Sequence, residues 1–137
     1  MATSQKATFT VSGRTENAVC TSAKTTYGDN TNAVQIAAAG ADGSILTTLF
    51  ATPRATCTAS SLQLYRSPDA GTTMYLIETA LLEAHTVAAT TLIPRSTFTK
   101  PTQTTPIFFE SGDTLWVGTG VALGGGVVFV AEIEDYS

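Results

Sequence analysis

His85 is the single histidine of the 137-residue chain, and Glu83 stands two positions before it. In an extended segment, positions i and i+2 share a face. The pair could therefore form a carboxylate–imidazole dyad for proton transfer. A half-exposed His in a connection is the commoner outcome, and no G-x-S-x-G nucleophile elbow accompanies it. Glu132, Glu134 and Asp135 form the densest carboxylate group. Glu132 and Glu134 would share one face of an extended segment and offer oxygens to a hard cation such as Ca²⁺. Without a shaped loop, a solvated acidic sheet edge that discourages strand pairing explains them better. Gly118, Gly120 and Gly124–Gly126 fail as a phosphate loop. Leu123 occupies the third position of G-x-G-x-x-G, and neither a helix nor a Lys follows. These glycines read as strand bends and a hairpin loop.

Cys20 and Cys57 make no C-x-x-C pair, so a zinc or thioredoxin-type site has no basis. They read as two unpaired, buried, structural thiols, with a disulfide left open because sequence does not fix their separation. Trp116, Tyr27, Tyr65 and Tyr75 could stack on sugar rings, although scattered aromatics in a sheet protein more often pack the core or its rim. No catalytic constellation emerges. The expectation is a protein that is not an enzyme, with no cofactor and no metal site.

The elements that must carry these residues read as short strands. Phe9-Thr10-Val11 alternates, giving a strand over 7–12, and 13–32 has the composition of a loop. Strands follow over 33–38 and 44–51, joined by Asp42-Gly43, a good hairpin dipeptide. Residues 57–66 alternate Leu62 and Leu64 against Gln63 and Tyr65. Ser67-Pro68-Asp69-Ala70-Gly71 then makes a turn in which Pro presets φ and Gly supplies φ > 0. The return strand covers 72–79. Residues 79–92 read as a strand end and an irregular connection that allows one helical turn. After Pro94, Pro101 and Pro106 come strands at 107–109, 114–122 and 127–135, the last with Val127, Phe129, Ala131 and Ile133 inward. About eight strands with Gly, Pro and Asp turns are the signature of an all-β, antiparallel sandwich or barrel of a single domain.

Composition agrees. Of 137 residues 26 are Thr, 13% are charged, and the net charge is −4. Thr suits a pleated, half-exposed surface. Seven scattered cations against eleven carboxylates give no basic groove for nucleic acid. Met1–Lys6 shows no apolar signal region, and no run approaches the roughly 18–20 apolar residues of a membrane helix. Neither nucleic acid nor a membrane is expected as a partner.

A larger pattern runs through the chain. It comprises Ala-Ala-Gly-Ala-Asp-Gly-Ser-Ile-Leu at 38–46, Leu62-Gln63-Leu64-Tyr65-Arg66 with its Pro-Asp-Ala-Gly-Thr turn, Ala84-His85-Thr86-Val87, Phe108-Phe109-Glu110-Ser111-Gly112-Asp113-Thr114-Leu115, and the ending Asp135-Tyr136. Over 33–137 this resembles the small β-sandwich virion proteins of tailed bacteriophages, in particular head decoration (cement) proteins. The resemblance implies a jelly-roll-like sandwich over 33–137, with 1–32 as an N-terminal arm and first short strand. It further implies a homotrimer seated on the major capsid protein at the virion head surface, made in the bacterial host cytoplasm. A tail, baseplate or neck component and a carbohydrate-binding host-recognition module are the alternatives. Candidate partner contacts are Thr3, Gln5, Lys6 and Phe9 in the arm, Tyr27, Asp29 and Asn30 in the following loop, and Pro68 and Asp69 in the turn.

Overall fold

A computed structural model describes residues 10–136. Thr3, Gln5, Lys6 and Phe9 lie outside the described residues. The strands are β1 (Thr10–Cys20), β2 (Val34–Ala38), β3 (Ser44–Pro53), β4 (Ser60–Ser67), β5 (Tyr75–Leu82), β6 (Ser96–Thr97), β7 (Ile107–Phe109), β8 (Thr114–Thr119) and β9 (Val127–Tyr136). One sheet runs β1-β9-β3, with β6 and β7 both pairing with β3; the other runs β2-β8-β4-β5. Every strand pair is antiparallel. The chain is thus an all-β sandwich, and no helix occurs among the described residues.

The core forms where the two inner faces meet. β9 points Val127, Phe129, Ala131 and Ile133 inward, as its alternation predicts, while β4 and β8 answer with Leu62, Leu64, Leu115 and Val117, all buried. Each Val, Leu, Ile and Phe among these contributes roughly 1.5–3 kcal/mol through burial, and Ala131 less. In β3 the strict alternation fails. The register shifts between Leu46 and Thr48, so Leu46 and Leu49 both reach the core although they are three apart. Thr47 fills the bulge, and its hydroxyl donates to the Glu132 carbonyl at 3.1 Å.

Two expectations change. Residues 13–20, read as loop, form most of β1, whose register with β9 is continuous from Ser12 opposite Asp135 to Cys20 opposite Val127. Gly, Arg, Glu and Asn have weak strand preference. Here β9 supplies the pairing, and Ala18 and Cys20 supply the buried face. Likewise, the acidic end of the chain is not a sheet edge, because β9 is paired on both sides, with β1 and with β3.

Candidate functional site

Residues 21–33 leave β1 and cross the outer face of the second sheet. Ala23 bridges Thr119 in parallel, and the Lys24 N–H donates to the Thr119 carbonyl at 2.7 Å. The Lys24 side chain then runs over Gly118, where an added Cβ would lie 3.0 Å from Lys24 Cδ. Its ammonium is completely buried. Nζ donates to the Asp29 carbonyl at 2.6 Å, the Thr31 carbonyl at 3.1 Å and Asp29 Oδ1 at 3.2 Å. It also sits 5.0 Å from the centroid of the Tyr65 ring, within cation–π range. A buried charge is tolerated only when paired and hydrogen-bonded, and the loop supplies both conditions.

Beneath the lysine, the Tyr65 hydroxyl donates to Gln63 Oε1, and Gln63 Nε2 donates to the Lys24 carbonyl at 3.1 Å and to Ser61 Oγ at 3.2 Å. Gln63 and Tyr65 alternate with Leu62 and Leu64 and so lie on the other face of β4. They are buried because this loop lies on them. Burial raises the Tyr65 pKa above its ordinary value, with smaller contributions from Tyr27 and Asp29. Asp29 is held below the usual carboxylate range, first by the Thr26 hydroxyl, then by Lys24 and the Thr31 N–H.

The 67–75 turn forms the neighbouring wall. Asp69 Oδ1 accepts from Ser67 Oγ at 2.9 Å and from the Thr73 N–H at 2.6 Å. These bonds, those of Thr73 foremost, lower its pKa. The Gly71 N–H donates to Ser67 Oγ at 2.7 Å. Ala70 and Gly71 take positive φ, 59° and 99°. Gly71 is required twice, since a Cβ there would stand 2.7 Å from Trp116 Cζ2. The same Cβ would be 3.4 Å from Asn30 Nδ2, so the two loops named from sequence meet against Trp116. Trp116 is half-buried, and its Nε1–H is used by Thr114 Oγ1 at 2.9 Å.

Tyr27, Asp29, Asn30, Pro68 and Asp69 are all exposed on this loop pair. Their chemistry divides. Asp29 and Asp69 each spend Oδ1 on ordering their own loops. Tyr27, Asn30 and Pro68 form the outward rim, with Tyr75 beside the turn. Lys24 and Gln63 escaped the sequence reading. A lone Lys in a polar loop carries no signal of burial, although the small residues Gly118 and Gly120 opposite it were visible.

The other clusters resolve differently. No hydrogen bond joins Glu83 and His85. His85 exchanges two backbone bonds with Cys57, at 2.9 and 3.1 Å, and its enclosed Nε2 has no hydrogen-bond partner among the described residues. Asp135 pairs with Arg14 at 2.9 Å and accepts from Ser44 Oγ. Among the described residues no group of three or more His, Cys, Asp or Glu is placed to hold a metal ion. Cys20 and Cys57 are both free; Cys20 is buried as expected, whereas Cys57 is only partly covered. No family model, no curated protein and no solved structure matches the chain.

Proposed function

We propose that the chain is a non-catalytic virion protein of a tailed bacteriophage, a decoration protein that seats on the outer face of the major capsid lattice and stabilises the head. One observation carries this reading beside the sequence resemblance. The loop pair is ordered from within, with Lys24 engaged by Asp29 and Asp69 engaged in its own turn. What it offers outward is an aromatic and amide rim of Tyr27, Asn30, Pro68 and Tyr75 beside the exposed carboxylates of Asp29 and Asp69. Preorganised loops lose little entropy on docking, and Tyr-rich contact with few charges is the composition of protein interface cores. Repetition over a lattice would multiply a weak single contact into avidity. The protein would be made in the host cytoplasm and end on the particle.

Mass spectrometry and cryo-EM of purified particles test this. The expected result is density for the sandwich on the head, loop pair inward. Absence from mature particles overturns it, and density on the tail, baseplate or neck replaces the head assignment. The exposed rings of Tyr27 and Tyr75 beside half-exposed Trp116 favour one second reading, a glycan-binding module. It predicts glycan-array binding that is lost in Tyr27→Ala and Tyr75→Ala.

A further inference from the structure

The loop over residues 21–33 buries one side chain, and that side chain is a lysine. Lys24 is 1% exposed, Ala23 and Ala33 are half-buried, and every other residue of the loop is exposed. Tyr27, its one large ring, is itself 53% exposed. Both ends of the loop are pinned. The Thr21 carbonyl accepts from the Leu123 N–H at 3.0 Å. The Lys24 N–H donates to the Thr119 carbonyl at 2.7 Å, and the Lys24 carbonyl accepts from Gln63 Nε2 at 3.1 Å. At the far end Asn32 Nδ2 donates to the Ala23 carbonyl at 2.7 Å, and β2 begins at Val34. The tip between these ends, residues 25–31, has no such anchor. It is ordered internally by Asp29 Oδ1, which accepts from Thr26 Oγ1 at 2.8 Å and from the Thr31 N–H at 3.1 Å. A turn bond runs from the Ala33 N–H to the Asn30 carbonyl at 3.1 Å. Every other hydrogen bond from the tip to the rest of the described residues ends on Lys24 Nζ.

We propose that residues 25–31 are a lid, latched by the Lys24 ammonium, that opens as one unit while both sheets stay folded. The three bonds to Nζ hold the tip down. The bonds of Asp29 to Thr26 and Thr31 lie within the tip and travel with it. Opening returns the ammonium and the loop carbonyls to water and uncovers little apolar surface, so the hydrophobic effect scarcely opposes it. Segments with few buried apolar contacts open at a lower free energy than the whole fold. The hinges are the pinned ends, Lys24 and Asn32. Asn32 takes φ +61°, a conformation that asparagine tolerates. The lid also sets the charge that this face presents. Closed, the face shows the Asp29 carboxylate, 53% exposed, and hides the ammonium completely. Open, it shows the ammonium beside the Tyr65 ring, 5.0 Å from its centroid in the closed form, and the carboxylate leaves with the tip. Opening therefore exchanges an acidic surface for a basic one with no change in protonation. The open form offers a cation to an anionic group that the closed form cannot engage. This device goes beyond the docking reading and does not depend on where the protein acts.

Acylation of the amines of the native full chain, read lysine by lysine by mass spectrometry, tests it. Lys100 is exposed and serves as the internal reference, and Lys24 in the urea-unfolded chain gives its own unhindered rate. Native Lys24 is expected to react many-fold more slowly than in the unfolded chain. Urea below the unfolding transition should scarcely change that rate, because the response to urea scales with the surface an opening exposes. Ile133→Val, in the core of the first sheet, is expected to lower the urea midpoint and to leave Lys24 labelling as in the parent. Asp29→Ala removes one bond to Nζ and the internal ties of the tip. Asp29 is exposed, so far-UV circular dichroism should match the parent, while Lys24 labelling rises several-fold and Lys100 labelling stays the same. Lys24 labelling that climbs with urea as global unfolding does overturns the proposal, as does labelling that rises in Ile133→Val in step with the lost stability. A native Lys24 that reacts as fast as in the unfolded chain overturns it too, since no lid would be shut. So does an Asp29→Ala protein that labels like the parent.

Discussion

At the scale of single residues, Lys24 holds the site. Its ammonium, buried itself, satisfies two carbonyls and one carboxylate oxygen. Lys24→Met keeps the apolar stem across Gly118 but removes the donors. Losing the charged donor of these part-buried bonds costs about 1–3 kcal/mol, and each kcal/mol lowers the melting temperature by roughly 2–8 °C. A thermal melt should show that loss, and Tyr27 should become more mobile than in the parent protein. The two thiols give a second residue-level expectation. Burial pushes the Cys20 thiol up to about 12, so it is neither accessible nor ionised at neutral pH. A thiol reagent should therefore modify one cysteine per native chain, two after unfolding, and none in native Cys57→Ser. Two native equivalents would mean that β1 opens.

At the scale of elements, turns decide more than strands. Gly71→Ala meets two costs: positive φ, about 1–2 kcal/mol for an L-residue, and a Cβ driven into the Trp116 ring. Gly112 has φ +92° but open space around it, so Gly112→Ala carries the backbone cost alone. Denaturant unfolding should show Gly71→Ala as the more destabilised of the two, and only that variant should shift Trp116 fluorescence. Equal losses would mean that the ring yields. The same distinction explains what the sequence revealed. β9, β8 and the 67–71 turn were legible because alternation and turn chemistry are local. β1 was not, since Gly13, Arg14, Glu16 and Asn17 are in a strand only because β9 lies beside them. β5, placed at 72–79 from sequence, lies at 75–82 because the turn runs longer, through Thr73 bonded to Asp69. The loop pair was named from composition, but its meeting at Trp116 is a tertiary fact that spacing does not encode.

At the scale of the whole molecule, few charges are present, and those at the joints are used to hold parts together. Arg14–Asp135 ties β1 to β9, Lys24–Asp29 pins the long loop, and Arg66–Asp113 ties β4 to the turn before β8. This arrangement makes stability sensitive to acid. At Asp135 burial acts to raise the pKa, but the bonds from Arg14 and Ser44 outweigh it and leave the carboxyl below its ordinary value of 3.8. Asp29 and Asp69 are lowered in the same sense. A carboxyl with a folded-state pKa below its unfolded one adds stability that is fully present above the unfolded value. That stability is lost as pH falls through the folded value. Denaturant midpoints should therefore be level with respect to these three groups from neutral pH down to about pH 4, then decline. Asp135→Asn cannot ionise, so it should be less stable than the parent at pH 7 and should lose less on acidification. The two proteins would converge once the pH lies below the folded-state pKa of Asp135. Parallel curves would mean that Arg14 gains nothing from the charge of Asp135, and that the corner joining β1, β9 and β3 is held by packing alone.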